Sequence, residues 1–409
     1  MIREQLKEAK KACRFMQNVK PEVKNKALKN ISEALIQKSE LIIQENQKDI
    51  AEAKNNGIKE SMVDRLLLNK ERIEAMAKDI LKVIDLQDPI GTLVREIKRP
   101  NGLVIQQIRI PLGVIGVIYE SRPNVTVDIA SLCIKTNNVC VLKGGKEAIH
   151  SNRILVQIIN EAIQDVLPTH TVTLIETKKR EEILDLIQAH DYVDVIIPRG
   201  SAGLIQYVVK NATVPVIETG AGICHLYVDQ DASLDMALEI AKNAKIQRPS
   251  VCNAIETILV HQKVAPEFLP KLQEIFKNVQ IYGDEKTRKI IDCLEATEKN
   301  YATEYDDYIC NIKVVDDIEE AIEHIYNYST KHSESIITEN KETAKYFMES
   351  LDSACVYHNA STRFSDGGQF GFGAEVGIST QKLHARGPLG LQEITSTKYM
   401  IYGNGQVRS

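Results

Sequence analysis

The first 84 residues carry apolar side chains at the spacing of amphipathic helices, with charged residues between them. One apolar set ends at Leu35 and another at Leu81, and both repeat every three or four positions. That period matches the turn of an α-helix. Asn55-Asn56-Gly57 is typical of a helix end. We therefore predict a helical layer that packs and has no chemistry of its own.

The pattern changes from Val94 to Ile110, where two stretches of mixed polar and apolar residues flank Pro100-Asn101-Gly102. An Asn-Gly pair between two such stretches predicts a β-hairpin. Two interpretations remain open. The hairpin is either an arm that pairs with another subunit or an edge of the same sheet as the strands that follow.

Short apolar runs alternate with helical segments from Gly113 to Ala221. This alternation predicts a parallel, doubly wound sheet whose ligand lies at the carboxyl ends of the strands. The predicted strands are Val114–Tyr119, Asn138–Leu142, Thr171–Ile175, Val193–Pro198 and Val214–Ile217, and the predicted helices are Ser151–Val166, Arg180–Ile187 and Ala202–Lys210.

Two loops after these strands are rich in glycine and polar residues: Lys143-Gly144-Gly145-Lys146 and Gly200-Ser201-Ala202-Gly203. Glycines at a strand-to-helix turn let backbone N–H groups approach a phosphate. Neither loop has the G-x-G-x-x-G or Walker A spacing, so a plain tight turn is the favoured interpretation of each loop by itself. Two such loops in one βα domain favour a dinucleotide site.

Cys252 lies between a turn at Pro249 and an apolar run, Ile258-Leu259-Val260, that predicts a strand. A cysteine placed there can serve as a nucleophile, or it is one of eight ordinary thiols that mostly fill core positions. A second αβ segment, from Val264 to Cys355, predicts another lobe. The glycine-rich stretch Arg363–Ser379 favours a loop shaped around a ligand over a flexible linker.

Composition narrows the function classes. The chain has 409 residues, 43% of them hydrophobic and 26% charged, which is typical of a globular protein with two or three domains. A net charge of −5 argues against a nucleic-acid-binding surface. The cysteines form no C-x-x-C pair, so we expect no metal site. Scattered thiols, no secretory signal and no membrane-length apolar run lead us to expect a cytoplasmic protein.

The order of these segments resembles the aldehyde dehydrogenase superfamily over nearly the whole chain. The segments that carry the resemblance are Ser121-Arg122-Pro123-Asn124, Lys143–Lys146, Gly200-Ser201 with Gly203, Glu218–Ala221, Cys252 and Glu304. The resemblance implies an α/β fold with a Rossmann-like parallel-sheet cofactor domain, a second α/β catalytic domain, and an oligomerisation arm made of the hairpin and the C-terminal segment.

The resemblance also assigns roles. It implies that Cys252 is the nucleophile, that Asn124 holds the oxyanion, and that Glu218 matches a glutamate that activates water in hydrolytic members. A chemical and a buried structural role for Glu218 both remain open. The cofactor-binding residues that it implies are Lys143, Gly144, Gly145, Lys146, Gly200, Ser201, Gly203 and Glu304.

Two further stretches, Val315–Ile336 and Gly368–Pro388, resemble the branch of the superfamily that reduces an acyl phosphate. The branch implies NADPH-dependent reduction of L-glutamyl 5-phosphate to L-glutamate 5-semialdehyde through a Cys252 thioester, with release of phosphate, in L-proline biosynthesis. The alternatives are a hydrolytic NAD(P)-dependent semialdehyde dehydrogenase, or a catalytically silent binding subunit. Functional coupling to the upstream glutamate kinase is a further expectation.

Cations suggest how the ligands are held. Lys146 stands where relatives that use NAD commonly carry an acidic residue, and with Lys143 it favours NADP(H), although a solvated lysine explains it too. The candidates for binding the carboxylate or phosphate of the substrate are Arg122, His225, Arg248, Arg363 and Lys382. We expect His324 and His332 to have packing or capping roles.

The predicted organisation follows from the resemblance. We expect a symmetric homo-oligomer. The predicted NADP(H)-binding domain comprises residues 1–94 and 113–225, the catalytic domain 226–360, the oligomerisation arm 95–112 and 375–409, and an active-site loop 361–374.

Overall fold

Two units make up the fold, and the chain crosses between them several times. The computed structural model describes residues 2–58, 60–177 and 182–408. Unit 1 consists of Met1–Thr219, Gly371–Gly377 and Leu389–Ser409, and unit 2 of Gly220–Phe370 and Ile378–Pro388.

The predicted helical layer is confirmed at the start of unit 1. The second helix buries Leu28, Ile31 and Leu35 completely and starts with Pro21, where a missing N–H costs no helical hydrogen bond. Gly57 follows the third helix with a φ of 66°, the left-handed conformation that glycine adopts readily. These helices are α1 (Ile2–Met16), α2 (Pro21–Gln37), α3 (Ser39–Asn55), α4 (Glu60–Leu66) and α5 (Lys70–Asp85).

The predicted hairpin is confirmed as well. Strands β1 (Leu93–Lys98) and β2 (Val104–Pro111) pair antiparallel on either side of Asn101-Gly102. β2 also pairs antiparallel with β16 (Thr395–Tyr402), which gives a separate three-stranded sheet in the order β1-β2-β16. The hairpin is therefore not an edge of the parallel sheet, which was one of the two interpretations.

The parallel sheet of unit 1 has four strands in the order β5-β4-β3-β6. β3 is buried throughout and coincides with its predicted bounds, and the other three begin and end within two residues of theirs. The strands are β3 (Val114–Tyr119), β4 (Val139–Lys143), β5 (Val172–Leu174) and β6 (Val195–Arg199), and the helices are α6 (Asn124–Lys135), α7 (Ile149–Ile163), α8 (Glu182–Ile187) and α9 (Ala202–Asn211).

The prediction of a strand over Val214–Ile217 is wrong. This segment makes one isolated bridge to β6, between Val216 and Ile196. Pro215 accepts a hydrogen bond from the N–H of Ile196 at 2.8 Å but has no N–H to donate, so a ladder cannot continue through it. The start of the predicted helix Arg180–Ile187 lies outside the described residues.

Unit 2 is built on a parallel sheet of seven strands in the order β10-β9-β11-β8-β7-β12-β13. Phe268 and Leu272 pack in the core with Ile258, and all three are fully buried. The strands of unit 2 are β7 (Cys224–Val228), β8 (Ile255–His261), β9 (Gln280–Gly283), β10 (Leu294–Glu295), β11 (Ile309–Val315), β12 (Ser333–Ile337), β13 (Cys355–His358), β14 (Ile378–Ser379) and β15 (Gly387–Pro388).

Helices cover the strands of this second sheet. They are α10 (Leu234–Ile246), α11 (Ala265–Ile275), α12 (Glu285–Arg288), α13 (Glu298–Tyr301), α14 (Ile318–Tyr328) and α15 (Lys341–Ser350). Within the described part of the chain, no helix combines the length and the apolarity that crossing a membrane requires.

Candidate active site

Three neighbouring strands of unit 1 end at one edge of the sheet, and each leads into a segment that the sequence singled out. β4 ends at Lys143 and leads into Gly144-Gly145, β3 leads into Glu120–Asn124, and β6 leads into Gly200-Ser201. Because these strands are adjacent and parallel, the three loops lie side by side. Unit 1 thus brings together most of the residues to which the resemblance assigns cofactor binding.

The two lysines of the first loop have different surroundings. Lys143 is 9% exposed, and its Nζ donates a hydrogen bond to the carbonyl oxygen of Gly144 at 2.8 Å. Burial lowers the pKa of Lys143, while the carboxylates of Glu147 and Glu120 oppose that shift. Lys146 is exposed at the start of a 3₁₀ turn. One cation is therefore held inside the loop, and the other is accessible.

Ser201 caps the N-terminus of α9, and its hydroxyl accepts a hydrogen bond from the N–H of Leu204 at 3.4 Å. The N–H of Ser201 donates to Oε2 of Glu120 at 2.8 Å. Gly200 has a φ of 157°, which residues with a side chain rarely adopt, and a Cβ there would come within 2.5 Å of that same carboxylate oxygen, so glycine is favoured at this position. A Cβ on Gly203 would meet nothing within 4 Å, so no steric reason for glycine exists there.

The carboxylates of Glu120 and Glu147 are the part of this cluster that sequence reasoning missed. Glu147 Oε1 accepts hydrogen bonds from the N–H of Ser121 at 2.7 Å and from its hydroxyl at 2.9 Å. Each glutamate directly follows a strand end or its loop, where acidic side chains bind ribose hydroxyls in dinucleotide folds. The loops contain N–H groups and Lys143, which suit phosphates, and carboxylates, which suit ribose hydroxyls. This combination fits a dinucleotide.

Asn124 is the first residue of α6, and its side-chain amide donates to Oδ2 of Asp128 one turn later, at 3.0 Å. Burial raises the pKa of Asp128 to about 6, while the hydrogen bond from Asn124 and the charge of Arg199 oppose the shift. The carboxylate fixes the orientation of the Asn124 amide. Asp128 was not predicted as a site residue, although its spacing of four from Asn124 on a helix is visible in the sequence.

Two other predicted residues of unit 1 flank these loops. Arg122 lies half-buried just before α6. Glu218 is also half-buried and follows Ile217, whose N–H donates to the carbonyl oxygen of Ile196 in β6 at 2.9 Å. Both side chains therefore belong to the loops at the carboxyl edge of the four-stranded sheet.

Cys252 of unit 2 lies partly exposed in the turn between α10 and β8, and β8 confirms the strand predicted after it. Its carbonyl oxygen accepts a hydrogen bond from the thiol of Cys224 at 3.2 Å. Gly222 packs against the same carbonyl group so closely that a Cβ on this glycine would lie 1.5 Å from the oxygen. Only glycine allows this close approach of two backbone segments.

Glu304 is connected to the same backbone segments. Its Oε1 accepts a hydrogen bond from the N–H of Gly222 at 2.6 Å. Burial raises the pKa of Glu304, and the Gly222 N–H opposes that shift. The residue that the resemblance assigns to a cofactor ribose therefore also supports the backbone that contacts Cys252.

Arg363 is held at the Cys252 turn by two side chains. Its Nε donates to Oε1 of Gln247 at 3.2 Å, and a terminal nitrogen donates to Oδ1 of Asn253. Burial lowers the pKa of Arg363, and the positive charge of Arg248 lowers it further. Two of the predicted substrate-binding cations thus lie in one cluster with Cys252.

The other two candidates for binding the substrate in unit 2, His225 and Lys382, pair with carboxylates. His225 is fully buried in β7, and its Nδ1 lies 3.1 Å from Oε2 of Glu334. Lys382 is exposed and forms an ion pair with Asp352 at 2.9 Å. Both side chains are therefore engaged by carboxylates outside the Arg363 cluster.

His324 and His332 are buried inside unit 2. The ring of His324 packs against Tyr301 and Tyr328, with ring centroids 4.8 Å and 4.6 Å away. Burial lowers the pKa of His324 to about 2 and that of His332 to about 4. Both rings are neutral at neutral pH, which accords with packing roles.

A buried ion pair lies near the turn that carries Cys252, and the sequence did not predict it. Lys245 of α10 and Glu256 of β8 approach to 2.7 Å, and both are almost completely buried. Burial raises the pKa of Glu256, and the charge of Lys245 opposes that shift. The pair ties the helix before Cys252 to the strand after it.

Comparisons with known proteins match this architecture. A profile of the aldehyde dehydrogenase family matches residues 1–294. The gamma-glutamyl phosphate reductase of Petrotoga mobilis is 55% identical over 98% of this chain and 97% of its own, and that of Halothermothrix orenii is 53% identical over 99% and 98%. The crystal structure of gamma-glutamyl phosphate reductase from Thermotoga maritima has 48% identity and a TM-score of 0.97, covering 99% of both chains. The predicted fold class and family resemblance are confirmed.

Asp128 gives a pH-dependent prediction. Its pKa in the folded chain, about 6, exceeds the usual 3.8, so folding binds a proton between these values. Deprotonation of Asp128 therefore lowers the stability of the folded chain increasingly as pH rises between these two values, and the loss remains at higher pH. We expect Asp128→Asn to raise the melting temperature relative to the wild type at about pH 8, with little gain at about pH 4.

The matched control for this prediction is Asp165→Asn, which changes an exposed aspartate of the same unit. Its melting temperature should follow that of the wild type at both pH values. An Asp128→Asn gain that is the same at both pH values would contradict the assignment.

Proposed function

We propose that this chain reduces L-glutamyl 5-phosphate to L-glutamate 5-semialdehyde. The chain belongs to the aldehyde dehydrogenase family, in the branch of the gamma-glutamyl phosphate reductases. Phosphate is released, and the product serves L-proline biosynthesis. The observation that carries the proposal is the sequence identity of 53% to 55% to these reductases over nearly the full length, together with a partly exposed cysteine at the expected turn.

Cys252 is the nucleophile of the proposed reaction. Its thiolate attacks the acyl carbon of the substrate, a C–S bond forms, and the bond from carbon to the phosphate oxygen breaks. NADPH, when bound, would supply the hydride for reduction of the resulting thioester carbon. The C–S bond then breaks, which releases the aldehyde and returns Cys252 to its thiolate form. The side-chain amide of Asn124 and the backbone N–H of Cys252 donate to the oxyanion, and each is worth about 3 kcal/mol when prepositioned.

The cofactor is held by loops from the parallel sheet of unit 1. Lys143, Gly144, Gly145 and Lys146 take the adenosine ribose end, and Gly200, Ser201 and Gly203 take the pyrophosphate at the N-terminus of α9. Glu304 binds the nicotinamide ribose. Support comes from the adjacency of these loops at the carboxyl edge of the sheet and from the exposure of Lys146 there.

Cations bind the anionic groups of the substrate. Arg248 and Arg363 are the preferred candidates because they cluster at the Cys252 turn, and Arg122 is a third. We do not extend this role to His225 or Lys382, whose side chains pair with carboxylates. Glu218 orients the nicotinamide or assists proton transfer, since water activation would waste an acyl phosphate.

The proposed domain roles follow the predicted segments. Residues 1–94 and 113–225 bind NADP(H), 226–360 carry the nucleophile, 361–374 form an active-site loop, and 95–112 with 375–409 form the oligomerisation arm.

The proposed location of the protein is the cytoplasm, in keeping with eight free thiols. Its proposed partner is the upstream glutamate kinase, which makes its substrate and is functionally coupled to it.

Phosphate dependence separates the reductase from a hydrolytic dehydrogenase. With glutamate 5-semialdehyde and NADP⁺, we expect steady-state formation of NADPH only when phosphate or arsenate is present, because phosphate must release the thioester. Full-rate oxidation in phosphate-free buffer would favour the hydrolytic enzyme. A catalytically silent subunit would show no turnover under either condition.

Lys146 tests the choice of cofactor. We expect Lys146→Glu to weaken NADPH binding by about tenfold or more and to leave NADH binding nearly unchanged, because only NADPH carries the 2′-phosphate. Titration of nucleotide fluorescence measures both dissociation constants. Lys210→Glu is the matched control, since this exposed lysine lies at the opposite end of α9 from Ser201. Equal losses for both nucleotides would contradict the assignment.

The chain is expected to form a symmetric homo-oligomer through its three-stranded sheet. The outer strands β1 and β16 expose a group of large apolar side chains, which monomeric surfaces rarely carry. Their exposed fractions are Leu93 54%, Val94 49%, Tyr399 58%, Ile401 62% and Tyr402 49%. Light scattering should give a multiple of the chain mass for the wild type and a smaller assembly for Ile401→Lys. A monomeric wild type would refute the proposal.

A further inference from the structure

Arg363 bridges the turn that carries Cys252. Its guanidinium group donates to Gln247, five residues before the cysteine, and to Asn253, one residue after it. Both acceptors are side-chain amide oxygens, which leave the positive charge of the arginine without a carboxylate at these contacts. The positively charged guanidinium group therefore contacts side chains on both sides of Cys252 in the chain.

The segment that presents Arg363 is fixed to the same turn. The side-chain nitrogen of Asn253 donates to the carbonyl oxygens of Arg363 and Ser365, at 3.3 Å and 2.9 Å. The hydroxyl of Thr362 donates to the carbonyl oxygen of Asn253 at 2.7 Å. Asn253 is 4% exposed and Thr362 fully buried, so these contacts are protected from water. The segment that carries Arg363 is therefore hydrogen-bonded to the residue that follows Cys252 in the chain.

The surrounding charges decide what this arrangement does. The positive charge of Arg248 repels that of Arg363, while the carboxylate of Asp366, and Cys252 when it is ionised, attract it. Other titratable groups that surround the turn from neighbouring strands and loops are Cys224, Glu256 paired with Lys245, Glu304, Glu334 beside His225, and neutral His332. Arg248 lies four residues before Cys252 in the chain, and the guanidinium group of Arg363 is hydrogen-bonded to residues on both sides of the cysteine.

We propose that Arg363, assisted by Arg248, stabilises the thiolate form of Cys252 and so prepares the nucleophile before substrate binds. A fixed positive charge beside a cysteine favours its ionised form. The inference rests on the proposed nucleophilic role of Cys252 and adds a catalytic duty to a residue otherwise expected only to bind substrate anions.

Alkylation by iodoacetamide tests this inference, because the reagent is neutral and needs no anion-binding residue. We expect the midpoint of the alkylation rate against pH to rise by about one unit or more in Arg363→Gln, which corresponds to about a tenfold slower reaction below the midpoint. Arg248→Gln should shift the midpoint in the same direction, and Arg363→Lys, which keeps the charge, should shift it less. The control Arg288→Gln changes an exposed arginine of unit 2 and should match the wild type.

Superimposable pH profiles for the wild type, Arg363→Gln and Arg248→Gln would overturn the inference, even if both variants bind substrate poorly. Arg248→Gln decides the question if Arg363→Gln does not fold. Cys252→Ala identifies the alkylated site by mass spectrometry. Unchanged turnover in Cys252→Ala would instead refute the proposed nucleophile, so the two failures are distinguishable.

Discussion

The contact of Gly222 with the carbonyl group of Cys252 is the constraint on which the turn that carries this cysteine depends. A single added Cβ would lie 1.5 Å from that oxygen, so the two backbone segments meet at a distance that only glycine permits. The N–H of Gly222 is held by Glu304, and the carbonyl of Cys252 is held by the thiol of Cys224. Backbone position, more than side-chain identity, therefore determines where the sulfur lies.

Other interactions of unit 2 build outward from this contact. The Lys245–Glu256 pair ties the helix before the cysteine to the strand after it, and Asn253 ties the turn to the segment that carries Arg363. Buried charges are costly unless they are paired, so such a pair supports specificity of position more than stability. Unit 1 uses a simpler principle, in which three parallel strands end together and aim their loops at one edge.

The sequence predicted what depends on local pattern. The buried strand Val114–Tyr119 is read correctly because six consecutive apolar or small residues have one stable solution in a parallel sheet. Val214–Ile217 has the same apolar look, but Pro215 prevents a ladder. The partners of Arg363, His225 and Ser121 lie between 26 and 116 residues away along the chain, so no local pattern reveals them. The family resemblance supplied roles for residues, but not these contacts.

Intact-protein mass spectrometry tests most directly whether Cys252 forms a thioester with the glutamyl group. Incubation with glutamate 5-semialdehyde and NADP⁺ in phosphate-free buffer should give one glutamyl adduct, which added phosphate removes. The adduct should form in the wild type and in Cys293→Ala, which changes another partly exposed thiol, and not in Cys252→Ala. An adduct that persists in Cys252→Ala, or aldehyde oxidation by the wild type without any adduct, would contradict a thioester at Cys252.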